Sequence, residues 1–278
     1  DKRKKKFVED FMKNSATIFE NGVFFSANAV QWKFSNSNYK FVFDSIPAIE
    51  FPEGNLICYT KGDSTRIMRT GGVFFPTLDR WIGEKGRVTW DRADFDPELT
   101  YAEFGAYEVR IKGSTYTVDS VLFYNEYFEK PLLGQLTEKV IADRTGDKAS
   151  YPRFESYNQR LQIKNIFENV DYDGGFTMRG NKLAGTGTNE EPAKLVFYRE
   201  NAPFLEANSL EFAIRPDRLT SQQTQVSIFL DKDSITHPEL NLKFDRKTRK
   251  LVLLRTDEGV SKSPYYNSYH DVDMFFEA

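Results

Sequence analysis

The amino-acid sequence predicts an all-β fold, arranged as a β-sandwich or as the stacked sheets of a β-solenoid, with a short N-terminal helix. Aromatic residues make up 15% of the 278 residues, with 25 Phe, 14 Tyr and 3 Trp. Aromatic and β-branched side chains favour the pleated, half-buried surface of a sheet. In addition, apolar and polar residues alternate along many short segments, which is the period of a strand.

The N-terminal segment DKRKKKFVEDFMKN is predicted to be helical, with Phe7, Val8, Phe11 and Met12 on one side. Five of its first six residues are cationic. The helix dipole disfavours positive charge at an N-terminus. We therefore expect the helix to begin before Asp1, in an internal piece of a longer protein.

Strands are predicted to follow the helix. The first are GVFFSANAVQWKF, YKFVFDSIPAIEF, NLICYTK, GGVFFPTL and GRVTWDR, which Gly, Pro, Asn or Asp residues separate. Alternating segments then occur at 107–111, 210–214, 226–230 and 240–244. FDRKTRKLVLL predicts a hairpin with a charged turn before residues 251–254. Besides the N-terminal segment, only residues 131–144 and 156–170 have a helical character.

The domain organisation is predicted from a polar stretch at residues 143–160, which contains Gly and Pro and has few apolar side chains. We expect a β-rich region with the N-terminal helix at 1–145, a linker at 146–160, and a β-sandwich-like region at 161–278. The last region is expected to be truncated at its C-terminus.

An Asp-Ser pair followed by Ile, Val or Thr recurs along the chain, at separations of 19, 56 and 114 residues that lie near multiples of 19. The pairs are Asp44-Ser45, Asp63-Ser64, Asp119-Ser120 and Asp233-Ser234. A worn repeat of solenoid rungs would give this spacing. The alternative, which we favour, is that Asp-Ser marks strand corners, because both side chains bond to nearby backbone.

Charge and hydropathy exclude several classes of function. A net charge of -3 and a pI near 5.7 give no general attraction to nucleic acid or to anionic membranes. No apolar run reaches the roughly 20 residues that span a bilayer. The single cysteine, Cys58, has no partner for an intrachain disulfide, and its apolar neighbours predict a buried thiol.

The segment LDKDSITHPELNLKF combines residue types that bind metals or move protons: Asp231, Asp233, His237 and Glu239. An EF-hand loop is excluded, because it needs Gly at its sixth position and Glu at its twelfth. A zinc site needs three or four ligands, so a site in this segment would have to combine His237 with carboxylates. The favoured alternative is a polar turn, in which Pro238 interrupts pairing and Leu240 starts the next strand. No cofactor is predicted.

Signatures of catalysis are missing from the sequence, which has no GxSxG motif and no pattern linking a histidine to a nucleophile. Two carboxylates for glycoside hydrolysis cannot be assigned among the acidic residues. Four aromatic residues are candidates for stacking on sugar rings, although a place in the core is the favoured alternative: Trp81, Trp90, Tyr265 and Tyr266. A non-catalytic role is therefore favoured over an enzyme.

Two resemblances to known families add to these expectations. Residues 174–256, from GGFTMRGNKLAGTGT through SLEFAIRPDRLTSQQTQVSIFLD to LNLKFDRKTRKLVLLR, resemble a laminin-G or concanavalin-like jelly roll. That likeness implies paired strands and carries over no calcium or sugar ligand.

The whole chain resembles segments of very large cell-envelope proteins of Bacteroidetes-type bacteria, in GRVTWDRADFD, YTVDSVLFYNEYFEKPLLG, DYDGGFTMRGNKLAGTGT and DSITHPELNLKF. This likeness implies the periplasm or cell surface of a Gram-negative bacterium, with other envelope proteins or glycans as partners. The low net charge predicts that nucleic acid is not a partner. We expect a non-catalytic structural or ligand-binding segment. The alternative is a lectin-like module or a fragment of a carbohydrate-active enzyme.

Overall fold

Antiparallel strands make up most of the structure, which is a computed structural model. It describes residues 2–27, 29–128, 130–141, 145–157, 160–215, 217–255, 264–268 and 272–274. These contain the helix α1 (Lys2–Asn21) and two single 3-10 turns, at Asp91–Ala93 and Gly146–Lys148. The prediction of an all-β fold with an N-terminal helix is confirmed.

The strands are as follows: β1 (Val23–Ala27), β2 (Val30–Phe34), β3 (Lys40–Val42), β4 (Ala48–Thr60), β5 (Asp63–Phe75), β6 (Arg80–Gly83), β7 (Gly86–Thr89), β8 (Tyr101–Phe104), β9 (Tyr107–Arg110), β10 (Thr115–Tyr124), β11 (Leu132–Lys139), β12 (Arg153–Ser156), β13 (Leu161–Phe167), β14 (Val170–Arg179), β15 (Lys182–Thr186), β16 (Ala193–Arg199), β17 (Ala202–Ser209), β18 (Glu211–Ile214), β19 (Arg218–Leu230), β20 (Asp233–Asp245), β21 (Lys250–Leu254), β22 (Tyr265–Asn267) and β23 (Val272–Met274).

The chain divides into two units. Unit 1 comprises residues 1–155 and 179–181, and unit 2 comprises residues 156–178 and 182–278. The division after Glu155 falls inside the predicted linker, 146–160. Part of that segment belongs to the core of unit 1, because Phe154 on β12 is 1% exposed and stacks on Phe123.

Unit 1 is built around the β4–β5 hairpin. Strands β2 and β3 both pair with β4, at its C-terminal and N-terminal halves respectively. The C-terminal half of β5 pairs with β6, which pairs with β9. The N-terminal half pairs with β7, from which the sheet continues through β8 and β10 to β11. Strand β5 therefore belongs to two sheets.

The helix α1 packs on unit 1 through a narrower stripe than the sequence predicts. Phe11 and Ile18 are buried, and Phe11 contacts the ring of Phe41 on β3. Val8 and Met12, predicted on the same apolar side as Phe11, are mostly exposed. The buried residues lie seven positions apart, or two helical turns, so one stripe faces the strands.

Unit 2 has the same strand plan as the first part of unit 1. Its central hairpin is β19–β20, with β17 and β18 both paired to β19. The C-terminal half of β20 pairs with β21, and its N-terminal half pairs with β22, which pairs with β23. Strands β16–β23 thus repeat the pairings of β1–β8 in the same order.

The registers of the two central hairpins agree residue by residue. Gly54 opposes Thr70 between two register shifts, and Thr224 opposes Leu240 between two register shifts. The difference in numbering is 170 on both strands (224 − 54 and 240 − 70). The same difference relates the β5–β6 pairs to the β20–β21 pairs. Residues of the two units can therefore be compared one to one.

This repeat differs from the spacing near 19 residues suggested by the Asp-Ser pairs. Asp63 and Asp233 are equivalent, since each begins the second strand of a central hairpin. Asp44-Ser45 lies instead between β3 and β4, and Asp119-Ser120 lies at a bulge within β10. Two of the four pairs therefore share a structural corner.

Other local predictions have mixed outcomes. The predicted hairpin with a charged turn is confirmed as β20–β21. The segments 131–144 and 156–170 contain the strands β11 and β13 and no α-helix among their described residues. The prediction of helical character was therefore wrong for both segments.

Candidate functional site

The four residues proposed as metal ligands do not converge. Asp231 is exposed at the turn of the β19–β20 hairpin, in the left-handed backbone region with a φ of 54°. Asp233 begins β20, and His237 is buried four residues later. The described part of the chain contains no group of three or more His, Cys, Asp or Glu side chains arranged to hold a metal.

His237 is a core residue of unit 2, with only 1% of its surface exposed. Its Nδ1 accepts a hydrogen bond from the backbone N–H of Glu239 at 3.1 Å, and its ring contacts that of Tyr265. The equivalent residue in unit 1 is Ile67, which is also buried. The predicted start of a new strand at Leu240 was wrong, because β20 runs unbroken from Asp233 to Asp245.

The predicted sugar-stacking residues are divided between core and surface. Trp81 and Trp90 are 0% exposed, so neither offers a ring face to a ligand, and the stacking prediction fails for both. Trp81 Nε1 donates to the hydroxyl of Tyr107, and Trp90 packs edge-on against Phe123. Of the two tyrosines on β22, Tyr265 is half-buried against the ring of His237 and Tyr266 is 39% exposed, so Tyr266 is the one exposed residue among the four candidates.

Unit 1 contains a buried charged cluster that sequence patterns do not reveal. Arg92 donates from Nη2 to Oδ2 of Asp63 at 2.6 Å, and from Nη1 to Oε1 of Glu138 at 2.8 Å. The three side chains are 10%, 4% and 1% exposed, respectively. They come from β5, the first 3-10 turn and β11, so only the fold brings them together.

Burial affects the protonation of Glu138 and of a nearby thiol. It raises the pKa of Glu138 to about 7, against the opposing effects of Arg92 and of the backbone N–H of Lys139. It also raises the pKa of the nearby Cys58 thiol to about 12, with a further contribution from the charge of Glu138. A carboxyl group that titrates near neutral pH is typical of acid–base sites. Here it is enclosed, and its side chain presents no face to a substrate.

An open apolar surface lies in unit 2, which we call the apolar groove. It is a cavity of about 560 Å³. Its lining residues are Arg199, Phe204, Leu205, Ile228, Phe229, Leu230, Arg249, Leu251 and Leu253. Phe229 is 38% exposed and Leu230 is 49% exposed. Exposed apolar area of this kind is typical of interaction sites.

Two cations border the apolar groove. The guanidinium of Arg199 lies 4.7 Å from the ring centroid of Phe204, which holds it against the apolar lining. Arg249 pairs with Glu168, and both of these side chains remain more than half exposed. The groove therefore combines apolar contact area with the cation of Arg199 at its rim, whereas the charge of Arg249 is balanced by Glu168.

A second cavity in unit 2, of about 490 Å³, is lined mostly by polar residues. It is lined by residues 209–211, 213 and 220–223, and the hydroxyl groups of Ser221 and Ser209 are hydrogen bonded at 2.8 Å. Its one carboxyl side chain is that of Glu211. Glycoside hydrolysis uses two carboxylates flanking the bond, so the lining lacks the pair that a glycosidase requires.

No helix in the described ranges is both long enough and apolar enough to cross a membrane. Comparisons of the chain with protein-family models, with curated proteins and with solved structures found no match. The proposals below therefore rest on the residues and on their geometry.

Proposed function

We propose that this chain is a non-catalytic, β-rich segment of a large exported envelope protein of a Gram-negative bacterium, acting as a scaffold or a binding surface. The observation that supports this role is the contrast between its two notable sites. The reactive side chains Asp63, Arg92 and Glu138 are enclosed in unit 1, whereas the apolar groove of unit 2 is open. Chemistry needs access to the reacting groups, and binding needs exposed contact area.

The two units support a scaffold role in a second way. A strand plan that occurs twice in one chain is typical of proteins built from repeated modules, which present surfaces along their length. The envelope location rests on the resemblance of segments such as GRVTWDRADFD to large envelope proteins. Other envelope proteins are the partners that this location implies.

Cell fractionation tests the location. An antibody raised against this chain would be applied to the native cells after release of the periplasm, and to intact cells treated with an external protease. We expect the antigen in the periplasmic fraction, or cleaved at the cell surface, alongside a known envelope marker. Recovery with a cytosolic marker enzyme, and protection until the cells are lysed, would rule out the proposed location.

A further inference from the structure

One end of the sheet of unit 2 carries an excess of positive charge. Strands β15, β18, β19 and β20 are neighbours in that order, and at this end β15 and β19 begin whereas β18 and β20 finish. Six cationic residues lie here, on what we call the basic end: Lys182, Arg215, Arg218, Lys243, Arg246 and Lys247. With the two carboxylates of Asp217 and Asp245, the basic end has a net charge of +4, in a chain whose net charge is -3.

The strand registers arrange the cations of the basic end as a row. Leu183 on β15 is opposite Ile214 on β18, which places Lys182 beside Arg215. The next two strands continue the row, because the turn after β18 and the turn after β20 are joined by a backbone hydrogen bond of 2.8 Å. Neighbouring strands are about 4.8 Å apart, so the row across four strands is about 15 Å long.

The two carboxylates of the basic end have partners of their own. Oδ2 of Asp217 lies 3.7 Å from Nη1 of Arg218. Oδ1 of Asp245 accepts hydrogen bonds from the backbone N–H and the hydroxyl of Thr248, at 2.8 and 2.7 Å, which fixes the turn between β20 and β21. No described residue forms an ion pair with Lys247. Positive charge therefore remains available to a ligand.

Unit 1 has the same hairpins without these charges. The turn that follows the central hairpin is RKTRK in unit 2 and PTLDR in unit 1. The registers make Arg218, Lys243, Arg246 and Lys247 equivalent to Ala48, Val73, Pro76 and Thr77, respectively. Since unit 1 forms the same pairings with uncharged residues at these positions, the fold does not require the cations.

We propose that the basic end binds an acidic polysaccharide, a linear glycan that carries carboxylate or phosphate groups along its length. Short segments rich in Lys and Arg are typical of surfaces that bind polyanions. A row about 15 Å long is much longer than one anionic group, so a polymer with several such groups matches it better than a single ion. The inference rests on the proposed binding role and specifies its ligand class.

The exposed side chains of the basic end favour a glycan over other polyanions. In the described parts of residues 213–220 and 242–250, the exposed residues are Arg, Lys, Asp and Thr. Single-stranded nucleic acids are typically bound with aromatic rings that stack on the bases. Protein partners are typically bound through an apolar core, and membrane surfaces through apolar side chains that insert. These two segments expose none of those features, whereas ion pairs and hydrogen bonds are enough to hold a charged, hydroxylated glycan.

Binding of polygalacturonate, a linear glycan with one carboxylate on each sugar, tests the proposal. Titration of the fluorescently labelled glycan with the complete chain should give saturable anisotropy at low salt. Affinity should fall at least about tenfold between about 50 and 200 mM salt, because binding releases counterions. Dextran, a neutral glycan, should not bind. No binding of polygalacturonate, or equal binding of the two glycans, would overturn the proposal.

Charge-reversed variants locate the binding. Arg215→Glu combined with Lys247→Glu alters one exposed residue on each turn of the basic end and should reduce affinity at least about tenfold. The matched control is Lys61→Glu combined with Lys130→Glu, which changes the net charge equally at exposed positions of unit 1. It should alter affinity less than about twofold, because salt screens distant charges. Circular dichroism confirms that both variants are folded. Equal losses would show that net charge controls binding, and would overturn the assignment to the basic end.

Other polyanions are compared in the same way. Polyglutamate, single-stranded oligothymidylate and phosphatidylcholine vesicles containing phosphatidylserine should each bind more weakly than polygalacturonate at the same concentration of anionic groups. If one of them binds as tightly, and loses affinity in the variant of the basic end, the assignment to a glycan is wrong. None of these results depends on cell location, so failure of the envelope proposal would be seen separately, by fractionation.

Discussion

Arg92 and Glu138 form a buried ion pair in unit 1, with Nη1 of the arginine 2.8 Å from Oε1 of the glutamate. The same guanidinium binds Asp63 through Nη2, so one cation serves two enclosed carboxyl groups. Taking charges out of water is costly, and the partners offset that cost only while all of them remain. The cluster therefore ties the start of β5 to β11.

Arg92→Met should destabilise unit 1 strongly. Removal of one partner leaves buried carboxyl groups without compensation, for which the expected loss in the free energy of unfolding is about 3–5 kcal/mol. Chemical denaturation measures the loss. The matched control is Arg66→Met, which removes an exposed pair with Asp91 and should cost less than about 1 kcal/mol. Similar losses for the two variants would contradict a structural role for the cluster.

Glu138 should make stability depend on pH below neutrality. Its pKa is about 7 in the folded chain against an ordinary value of 4.5, so the folded state holds an extra proton between these values. The resulting stabilisation is complete below about pH 4.5 and is lost as the pH rises through about 7. Relative to Glu138→Gln, the wild-type free energy of unfolding should fall by up to about 3 kcal/mol across that range.

Denaturation curves at several pH values measure this effect of Glu138. The control is Glu108→Gln, which alters a carboxylate whose side chain is 44% exposed and should leave the pH profile of the wild type nearly unchanged. A constant difference between wild type and Glu138→Gln from pH 4.5 to pH 7 would show that burial does not raise this pKa.

Cys58 should be unreactive in the folded chain. Its thiol is buried with a pKa of about 12, so the thiolate that attacks disulfide reagents is scarce near neutral pH. A chromogenic disulfide reagent at pH 8 should modify it only after denaturant is added. Ser45→Cys places a thiol at an exposed loop position and should react at once. Equal rates at both positions in the native chain would mean that Cys58 is accessible.

The sequence predicts strands well where an apolar pattern is unbroken, and fails where a buried charge, a glycine or a bulge interrupts it. On β11 the inward-facing positions include Gly134 and the charged Glu138. The alternation of apolar and polar residues is therefore lost, and the segment resembles a helix. On β13 a register shift between Ile163 and Phe167 breaks the period of two. Tertiary contacts determine where a charge can be buried and where a bulge adds a residue to a strand, and a local sequence pattern does not contain that information.

The two candidate sites could not be predicted from the sequence for a related reason. Asp63, Arg92 and Glu138 are far apart along the chain, and each is an ordinary polar residue in its own segment. The apolar groove depends on which apolar side chains the fold leaves exposed, and the leucines of β21 look like core residues until their exposure is known. By contrast, the Asp-Ser pattern did mark one true equivalence, that of Asp63 with Asp233.

His237 should behave as a packing residue. His237→Ala removes a buried ring and its hydrogen bond with Glu239, for an expected loss of about 2–4 kcal/mol in the free energy of unfolding. His237→Ile should recover part of that loss, because isoleucine occupies the equivalent position 67 in unit 1. Zinc should not raise the melting temperature of the wild type. A zinc-dependent rise that is lost in both variants would restore the metal hypothesis.

Gly83 and Tyr107 should be coupled, because the glycine leaves the space that the tyrosine ring fills. Gly83→Leu, which introduces the residue found at the equivalent position of unit 2, should displace β9 and cost about 3 kcal/mol or more. Tyr107→Ala carries its own cost, because it removes hydrogen bonds with Thr70 and Trp81. The double variant should nevertheless lose less stability than the two single losses combined, by at least about 1 kcal/mol. Additive losses in a double-mutant cycle would show that the two positions do not share this space.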